Sequence, residues 1–290
     1  MDTEISPIFL LGAGRSGTKF LRDIIGVSSD IATIPYDVGY IWRYGNDDCP
    51  HDEFTSSMLT PKIEQYIKKT LPKLAMSNVS KPNASFFIEK SVPNTLRPEF
   101  LYTIYPNAKF IHLIRDGRAV SESAIRLWQA PPKRSYLLKK LKYFPIENYQ
   151  YAFRYALSLV KRRISPSKIL PSWGPRYSGI NEDIQNLPLE TVCARQWKKS
   201  IEISLSQLEN CDKNNIIEVH YEDLMKDSKS LETICDFIGI SDKSDIINNY
   251  EKKVVRTNTQ KWKNTLTKKQ LELINNEIET LNSNLGYKST

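Results

Sequence analysis

Gly12-Ala13-Gly14-Arg15-Ser16-Gly17-Thr18-Lys19, directly behind the apolar run Ile8-Phe9-Leu10-Leu11, decides the reading of this 290-residue chain. A short continuous apolar run that ends in glycines suits a buried parallel strand feeding a tight turn. From Thr18 to about Ile25, the residues Phe20, Leu21, Ile24 and Ile25 recur at helical spacing. The opening therefore reads strand, glycine-rich loop, helix. In that context backbone N–H groups can close around an anion, and the helix N-terminus adds its dipole and free donors.

Three kinds of anion loop share this physics. Gly12, Gly14 and Gly17 satisfy G-x-G-x-x-G, the dinucleotide fingerprint. Gly12 and Gly17 also bracket four residues as in a Walker A loop, but Thr18-Lys19 stands where Lys-Ser/Thr is needed. The third is a phosphosulfate-binding loop. Arg15 separates them, because a guanidinium inside the loop places a fixed positive charge beside a transferring group, with Ser16, Thr18 and Lys19 as further donors.

Working outward, short apolar strands are expected at Ser85 to Ile88, Lys109 to Ile114 and Asn215 to His220. Helical patterns lie between and after them: Thr60 to Ala75, Arg97 to Tyr105, Gly117 to Trp128, Leu189 to Leu208, Ser230 to Ile238, and an amphipathic segment from Leu266 to Leu285. Strands alternating with helices argue for an α/β domain with a P-loop-like central parallel sheet flanked by helices. A single domain over 1–290 is expected, with a helical or loop insertion, or lid, at about 129–188. There Pro131-Pro132, Pro145, Pro166, Pro171 and Pro175 punctuate basic and aromatic stretches.

Composition sets bounds. Lys and Arg total 41 against 33 Asp and Glu, for a net charge of +8. Such a surplus favours anionic partners or is simply a solvated basic surface. Cys49, Cys193, Cys211 and Cys235 form no Cys-x-x-Cys pair and there are 3 histidines, so a structural zinc site is not expected. The cysteines read as scattered buried or half-buried thiols of a reducing compartment. No span approaches a membrane helix or a signal peptide, and a cytoplasmic location is expected.

A second anion site follows the Lys109–Ile114 strand, in Arg115-Asp116-Gly117-Arg118-Ala119-Val120-Ser121-Glu122-Ser123. Open α/β sheets bind ligands where a strand's carboxyl end meets a helix. Arg115 at that edge suits a bidentate phosphate contact, and Ser123, two helical turns on, is a further donor. Arg118 is expected to pair with Asp116 or face water, and Ser121 to lie on the helix surface. Two phosphate-type sites on neighbouring strands suit a nucleotide phosphorylated at both its 5′ and 3′ ends.

With these residues in view, the chain resembles the superfamily of sulfotransferases that use 3′-phosphoadenosine-5′-phosphosulfate (PAPS), closest in motif style to the tyrosylprotein and carbohydrate branches. The resemblance extends through Glu89-Lys90-Ser91, Tyr221-Glu222-Asp223-Leu224, Trp262-Lys263-Asn264 and Leu285-Gly286-Tyr287. It implies that Gly14, Arg15, Ser16, Gly17, Thr18 and Lys19 hold the 5′-phosphosulfate, and that Arg115 and Ser123 bind the 3′-phosphate. Tyr221 would contact the adenine. Lys261 and Trp262 would close over the 3′-phosphate with help from Arg256.

The implied reaction moves a sulfuryl group in line to an acceptor hydroxyl or amine, leaving 3′,5′-ADP (PAP). Because a phosphate leaves, no metal is required. Arg15 and Lys90 would meet the charge on the bridging oxygen, although Val92 separates Ser91 from Pro93 where the family has Glu-Lys-Ser/Thr-Pro. Counting about twenty-two residues from the loop's cation, as for the family's glutamate base, lands on Asp37. Glu89, His112 and His220 are the other candidate bases. Tyr136, Tyr143, Trp173 and Tyr177 would suit sugar or aromatic rings, and Arg134, Lys139, Lys140, Lys142 and Arg162-Arg163 an acidic glycan. The expected acceptor is a carbohydrate, glycoconjugate or small hydroxylated molecule, with no nucleic acid involved.

The competing readings are an NTP-dependent P-loop kinase, a Rossmann-type NAD(P) or FAD oxidoreductase, and a non-catalytic module for acidic glycans or nucleic acid. The first predicts a Walker lysine, the second an acidic residue ending the second strand, and the third a contiguous basic face.

Overall fold

The computed structural model describes residues 5–77, 81–130, 173–256 and 259–288. Five strands form one sheet: β1 (Ser6–Leu11), β2 (Ile31–Thr33), β3 (Phe86–Glu89), β4 (Lys109–Ile114) and β5 (Ile216–His220). Their order is β2-β3-β1-β4-β5, and every ladder is parallel. Ile8 is level with Ile88 on one side and with Lys109 on the other, so β1 is the sheet's centre. The three-residue strand β2 is a fifth strand beyond the four expected.

Both faces are covered over the central strands, which is why β1 and β4 read as near-continuous apolar runs. The residues still alternate. Phe9, Leu11, Phe87 and Phe110 pack on one face with Trp42, Phe54, Ile67 and Phe100. Ile8, Leu10, Ile88, Ile111 and Leu113 pack on the other with Leu21, Ile24, Leu231, Ile234 and Tyr250. A third cluster, including Ile114, Val120, Trp197, Ile274 and Ile278, lies past the carboxyl end of β4.

The helices are α1 (Thr18–Ile25), α2 (Gly39–Trp42), α3 (Pro61–Ser77), α4 (Pro98–Ile104), α5 (Gly117–Trp128), α6 (Ile180–Asn186), α7 (Leu189–Leu208), α8 (Tyr221–Lys226), α9 (Lys229–Ile238), α10 (Ser244–Lys253), α11 (Trp262–Thr265) and α12 (Lys268–Asn284). The chain leaves β1 for β2 at one edge and leaves β4 for β5 at the other. The point where connections diverge, between the carboxyl ends of β1 and β4, is where a sheet of this kind opens a crevice for a ligand.

Of the expected insertion at 129–188, residues 131–172 lie outside the described residues, and with them Arg134, Tyr136, Lys139, Lys140, Lys142, Tyr143, Arg162 and Arg163. Cys193, Cys211 and Cys235 are buried thiols and Cys49 is half-buried, as their scatter suggested. Among the described residues, no helix is long and apolar enough to cross a membrane.

Candidate active site

The loop from β1 to α1 has the backbone of an anion cradle. Gly12 has φ +152° and Gly17 φ +99°. A side-chain carbon at Gly17 would lie 2.5 Å from the Tyr221 ring, and one at Gly12 would lie 2.6 Å from the Leu113 carbonyl oxygen. These glycines let the loop press against β4 and α8. Within the loop, the Ser16 N–H and hydroxyl both donate to the Ala13 carbonyl, at 3.0 and 2.7 Å. The amides of Gly14, Arg15, Gly17 and Thr18 make no hydrogen bond to another described residue. Arg15 sits at φ 78°, a left-handed conformation that costs a non-glycine residue about 1–2 kcal/mol.

That backbone turn sends the Arg15 side chain toward β4. Arg15 Nε donates to Ser123 Oγ at 2.9 Å, across 108 residues of sequence. Arg115, at the end of β4, donates from Nη1 to the Arg15 carbonyl at 3.0 Å. Its guanidinium lies over the Tyr221 ring, 4.1 Å from the centroid. Burial, with Arg115 and Arg126 nearby, presses the Arg15 guanidinium below the ordinary arginine value. Two guanidiniums from neighbouring strand ends thus converge on the β1/β4 crevice, where an anion would offset the burial and repulsion that act on Arg15.

A second cluster lies past β2 and β3. Lys90 Nζ pairs with Asp37 Oδ1 at 2.5 Å, and the second oxygen of Asp37 bonds no described residue. Neighbouring bonds fix this pair. The Val38 N–H donates to Ser91 Oγ at 2.8 Å, and that hydroxyl donates to Glu89 Oε1 at 2.5 Å. Glu89 also accepts from Asn94 Nδ2 at 2.6 Å. Complete burial pushes Glu89 up to about 7, against the pull of its Ser91 bond and of Lys90 and Arg97. Val92 and the Trp173 ring both touch Gly14: a side-chain carbon there would meet them at 3.6 and 3.2 Å. Gln196 Nε2 holds the Trp173 segment by donating to the carbonyls of Trp173 and Pro175, at 2.7 and 2.8 Å.

The remaining candidates are spread out. Lys19 extends outward to Asp23 at 2.7 Å, with its side chain 74% exposed. Arg256 is exposed and pairs with Glu251 at 3.4 Å. Trp262 is buried with the Arg118 guanidinium over its ring, 4.4 Å from the centroid, and Lys261 just before it is exposed. None of these makes a bond to Arg15 or Arg115 among the described residues. Arg118 pairs with Asp116 at 2.9 Å. Ser121 does not lie on the surface as expected but is fully buried, because α5 is packed between α7 and α12. Tyr177 is buried and donates to Asp183, so its ring is packing rather than an open face. Of the other candidate bases, His112 Nε2 lies 2.9 Å from Ser204 Oγ and His220 Nδ1 lies 3.0 Å from Tyr287 Oη.

Sequence reasoning missed the groups that hold Arg115 in place. Trp197 Nε1 donates to the Arg115 carbonyl at 3.1 Å, Glu222 Oε1 accepts the Asp116 N–H at 3.3 Å, and Asn282 Oδ1 accepts the Gly117 N–H at 3.0 Å. Nothing local in the sequence marks these residues. The sole signal was that Tyr221-Glu222 and Leu285-Gly286-Tyr287 both belong to the quoted resemblance.

Comparison with known proteins gives a consistent picture. Residues 7–171, more than half of the chain, match the family model described as "Sulfotransferase family". Similar solved structures include the sulfotransferase domain of the Synechococcus PCC 7002 olefin synthase, at 18% identity and TM-score 0.56, covering 100% of this chain and 98% of that one. The sulfotransferase domain of the curacin biosynthetic pathway is similar at 16% identity and TM-score 0.53, with 99% of each chain covered. Sulfotransferase STF1 of Mycobacterium tuberculosis H37Rv is similar at 12% identity and TM-score 0.52, covering 96% of this chain and 78% of that one. At such identities these likenesses speak to the fold. No curated protein matches the chain.

Proposed function

The chain belongs to the sulfotransferase family, and from that premise we propose that it transfers a sulfuryl group from PAPS to an acceptor hydroxyl on a glycan or a small hydroxylated molecule. The observation that carries this reading is the convergence of Arg15 and Arg115 on the β1/β4 crevice, each from its own strand end. A kinase needs its loop lysine on the phosphates, whereas Lys19 pairs outward with Asp23. A dinucleotide oxidoreductase needs the strand that follows the loop helix beside β1, whereas β3 separates β2 from β1.

The residues fit a nucleotide with anions at both ends. Amides of the Gly14–Thr18 loop and the Arg15 guanidinium would take the 5′ end. Arg115 and the Ser123 hydroxyl would take the 3′-phosphate, with the Tyr221 ring beside them. Arg256, Lys261 and Trp262, from the segment between α10 and α12, would complete the 3′ end, Trp262 through the Arg118 guanidinium that lies over its ring. When PAPS is bound it supplies the sulfuryl group: the acceptor oxygen–sulfur bond forms as the bond from sulfur to the bridging phosphate oxygen breaks, and 3′,5′-ADP leaves.

Asp37 Oδ2 accepts the proton that the acceptor hydroxyl loses. Lys90, held against Asp37 by the Glu89–Ser91–Val38 chain of bonds, and Arg15 stabilise the negative charge that collects on the phosphate side. Trp173, whose ring lies beside Gly14, would line the acceptor side.

Calorimetric titration with 3′,5′-ADP, 5′-AMP, ATP and NAD tests the reading. Wild type is expected to prefer 3′,5′-ADP, and Arg115→Ala to lose that preference. Equal or tighter binding of ATP or NAD would sink it.

A further inference from the structure

Helix N-termini ordinarily leave their first amides open to solvent or to an anion. At α5 those of Asp116, Gly117 and Arg118 are taken. The Asp116 N–H goes to Glu222, the Gly117 N–H to Asn282 and the Arg118 N–H to the Asp116 carboxylate, which caps the helix at 2.9 Å. Asn282 is buried and works in both directions, since its Nδ2 donates to Asp116 Oδ1 at 3.2 Å.

Glu222 is itself held. Tyr287 Oη donates to Glu222 Oε2 at 2.7 Å. A phenol has one proton, so with that proton committed the His220 Nδ1 contact at 3.0 Å has the imidazole as donor. Arg118 Nη1 closes the same corner on the Lys288 carbonyl at 3.0 Å. Arg115 is therefore fixed at three levels. Its carbonyl accepts from Trp197, the next amide bonds Glu222, and its guanidinium rests on the ring of Tyr221, the neighbour of Glu222.

We propose that Glu222, Asn282 and Tyr287 are positioning residues for recognition of a nucleotide 3′-phosphate: they lock the Arg115–Gly117 turn so that Arg115 meets that phosphate from a fixed place. Because the Asp116 and Gly117 amides are occupied, the side chains of Arg115 and Ser123 supply the contacts, and their placement depends on the lock. The inference rests on the nucleotide reading above. None of the three residues touches the nucleotide; each acts through the turn.

The test is calorimetry of the full chain with two probes, 3′,5′-ADP and 5′-AMP, which differ by the 3′-phosphate. Tyr287→Phe is expected to bind 3′,5′-ADP about five-fold more weakly, the effect of one buried hydrogen bond, and 5′-AMP as wild type does. A merely structural role would weaken both probes together, and that result, or an unchanged preference, overturns the inference. If wild type itself does not prefer 3′,5′-ADP, the nucleotide reading falls first and this inference falls with it. Should circular dichroism show Tyr287→Phe unfolded, Glu222→Gln keeps the side chain's shape and carries the same expectation.

Discussion

The two ends of the proposed nucleotide site are built in opposite ways. The Gly12–Lys19 loop is contiguous, and it keeps backbone amides clear of other partners by adopting conformations that suit glycine. The Arg115–Ser123 segment has its leading amides occupied by groups up to 165 residues away, and it offers side chains instead. A backbone cradle can be specified by a short motif. A side-chain clamp has to be specified by the tertiary structure around it. The first should be intolerant of any added atom, and the second sensitive to the geometry of its donors.

The largest expected effect breaks the cradle. Gly17→Ala puts a methyl 2.5 Å from the Tyr221 ring at φ +99°. It should destabilise the fold by about 3 kcal/mol from strain and overpacking together, measured by denaturant unfolding, and abolish 3′,5′-ADP binding. A mild loss of affinity with intact stability would mean that the loop is not a rigid cradle.

Next is the clamp. Arg115→Lys keeps the charge but loses the planar fork and its stacking on Tyr221. It should weaken 3′,5′-ADP binding by about 2 kcal/mol and leave 5′-AMP almost unchanged. Comparable affinity in the lysine variant would mean that charge, not geometry, is what this end supplies.

A pH measurement distinguishes the buried acids beneath the site. In the fold Glu89 keeps its proton up to about 7, from an ordinary value of 4.5. Folding therefore takes up a proton between those values, so stability falls as pH rises across that window. The slope from one such group is at most about 1.4 kcal/mol per pH unit. Thermal midpoints should decline across that range in wild type, and Glu89→Gln should flatten the decline. An identical slope in both would show that Glu89 is ionised throughout.

The smallest effect concerns strain in the cradle. Arg15→Gly and Arg15→Ala both remove the guanidinium, but glycine tolerates φ 78° and alanine does not. After the unfolded-state cost of glycine, Arg15→Gly should still be the more stable variant by about 0.5–1 kcal/mol. Equal stability would show that the left-handed turn at Arg15 relaxes in the variants.

The same contrast governs what could be read from sequence. The cradle was legible because strand, glycines, cation and helix are adjacent; β1, β3 and β4 were legible as buried apolar runs, and the half-buried edge strand β5 as a shorter one. Strand β2 was not, since Ile31-Ala32-Thr33 is too short for any period to register. Helix α10 was also missed: its buried residues are Ile246 and Tyr250, too few for a clear stripe. Asp37 and Lys90 were found separately, but their pairing comes from β2 and β3 being neighbours, which strand spacing alone does not reveal. Ser121 was misread because a serine on a helix looks solvated, whereas this helix is enclosed by α7 and α12. Glu222 and Tyr287 stood out only as members of motifs shared with the family and Asn282 not at all, and the contacts that join the three to the Arg115–Gly117 turn are ones no local pattern encodes.

The saturated start of α5 has a consequence in time. During synthesis, a chain that has emerged as far as His220 holds all five strands and both arginines, yet the partners of the Asp116 and Gly117 amides are still to come. The cradle can form as soon as its neighbours have been made, but the clamp must wait for Asn282 and Tyr287. Nascent chains arrested before residue 282 should therefore fail to distinguish 3′,5′-ADP from 5′-AMP, and the capacity to do so should appear only when Tyr287, past the end of α12, has left the ribosome. A partly made copy of this protein would then hold such a nucleotide by its 5′ end alone.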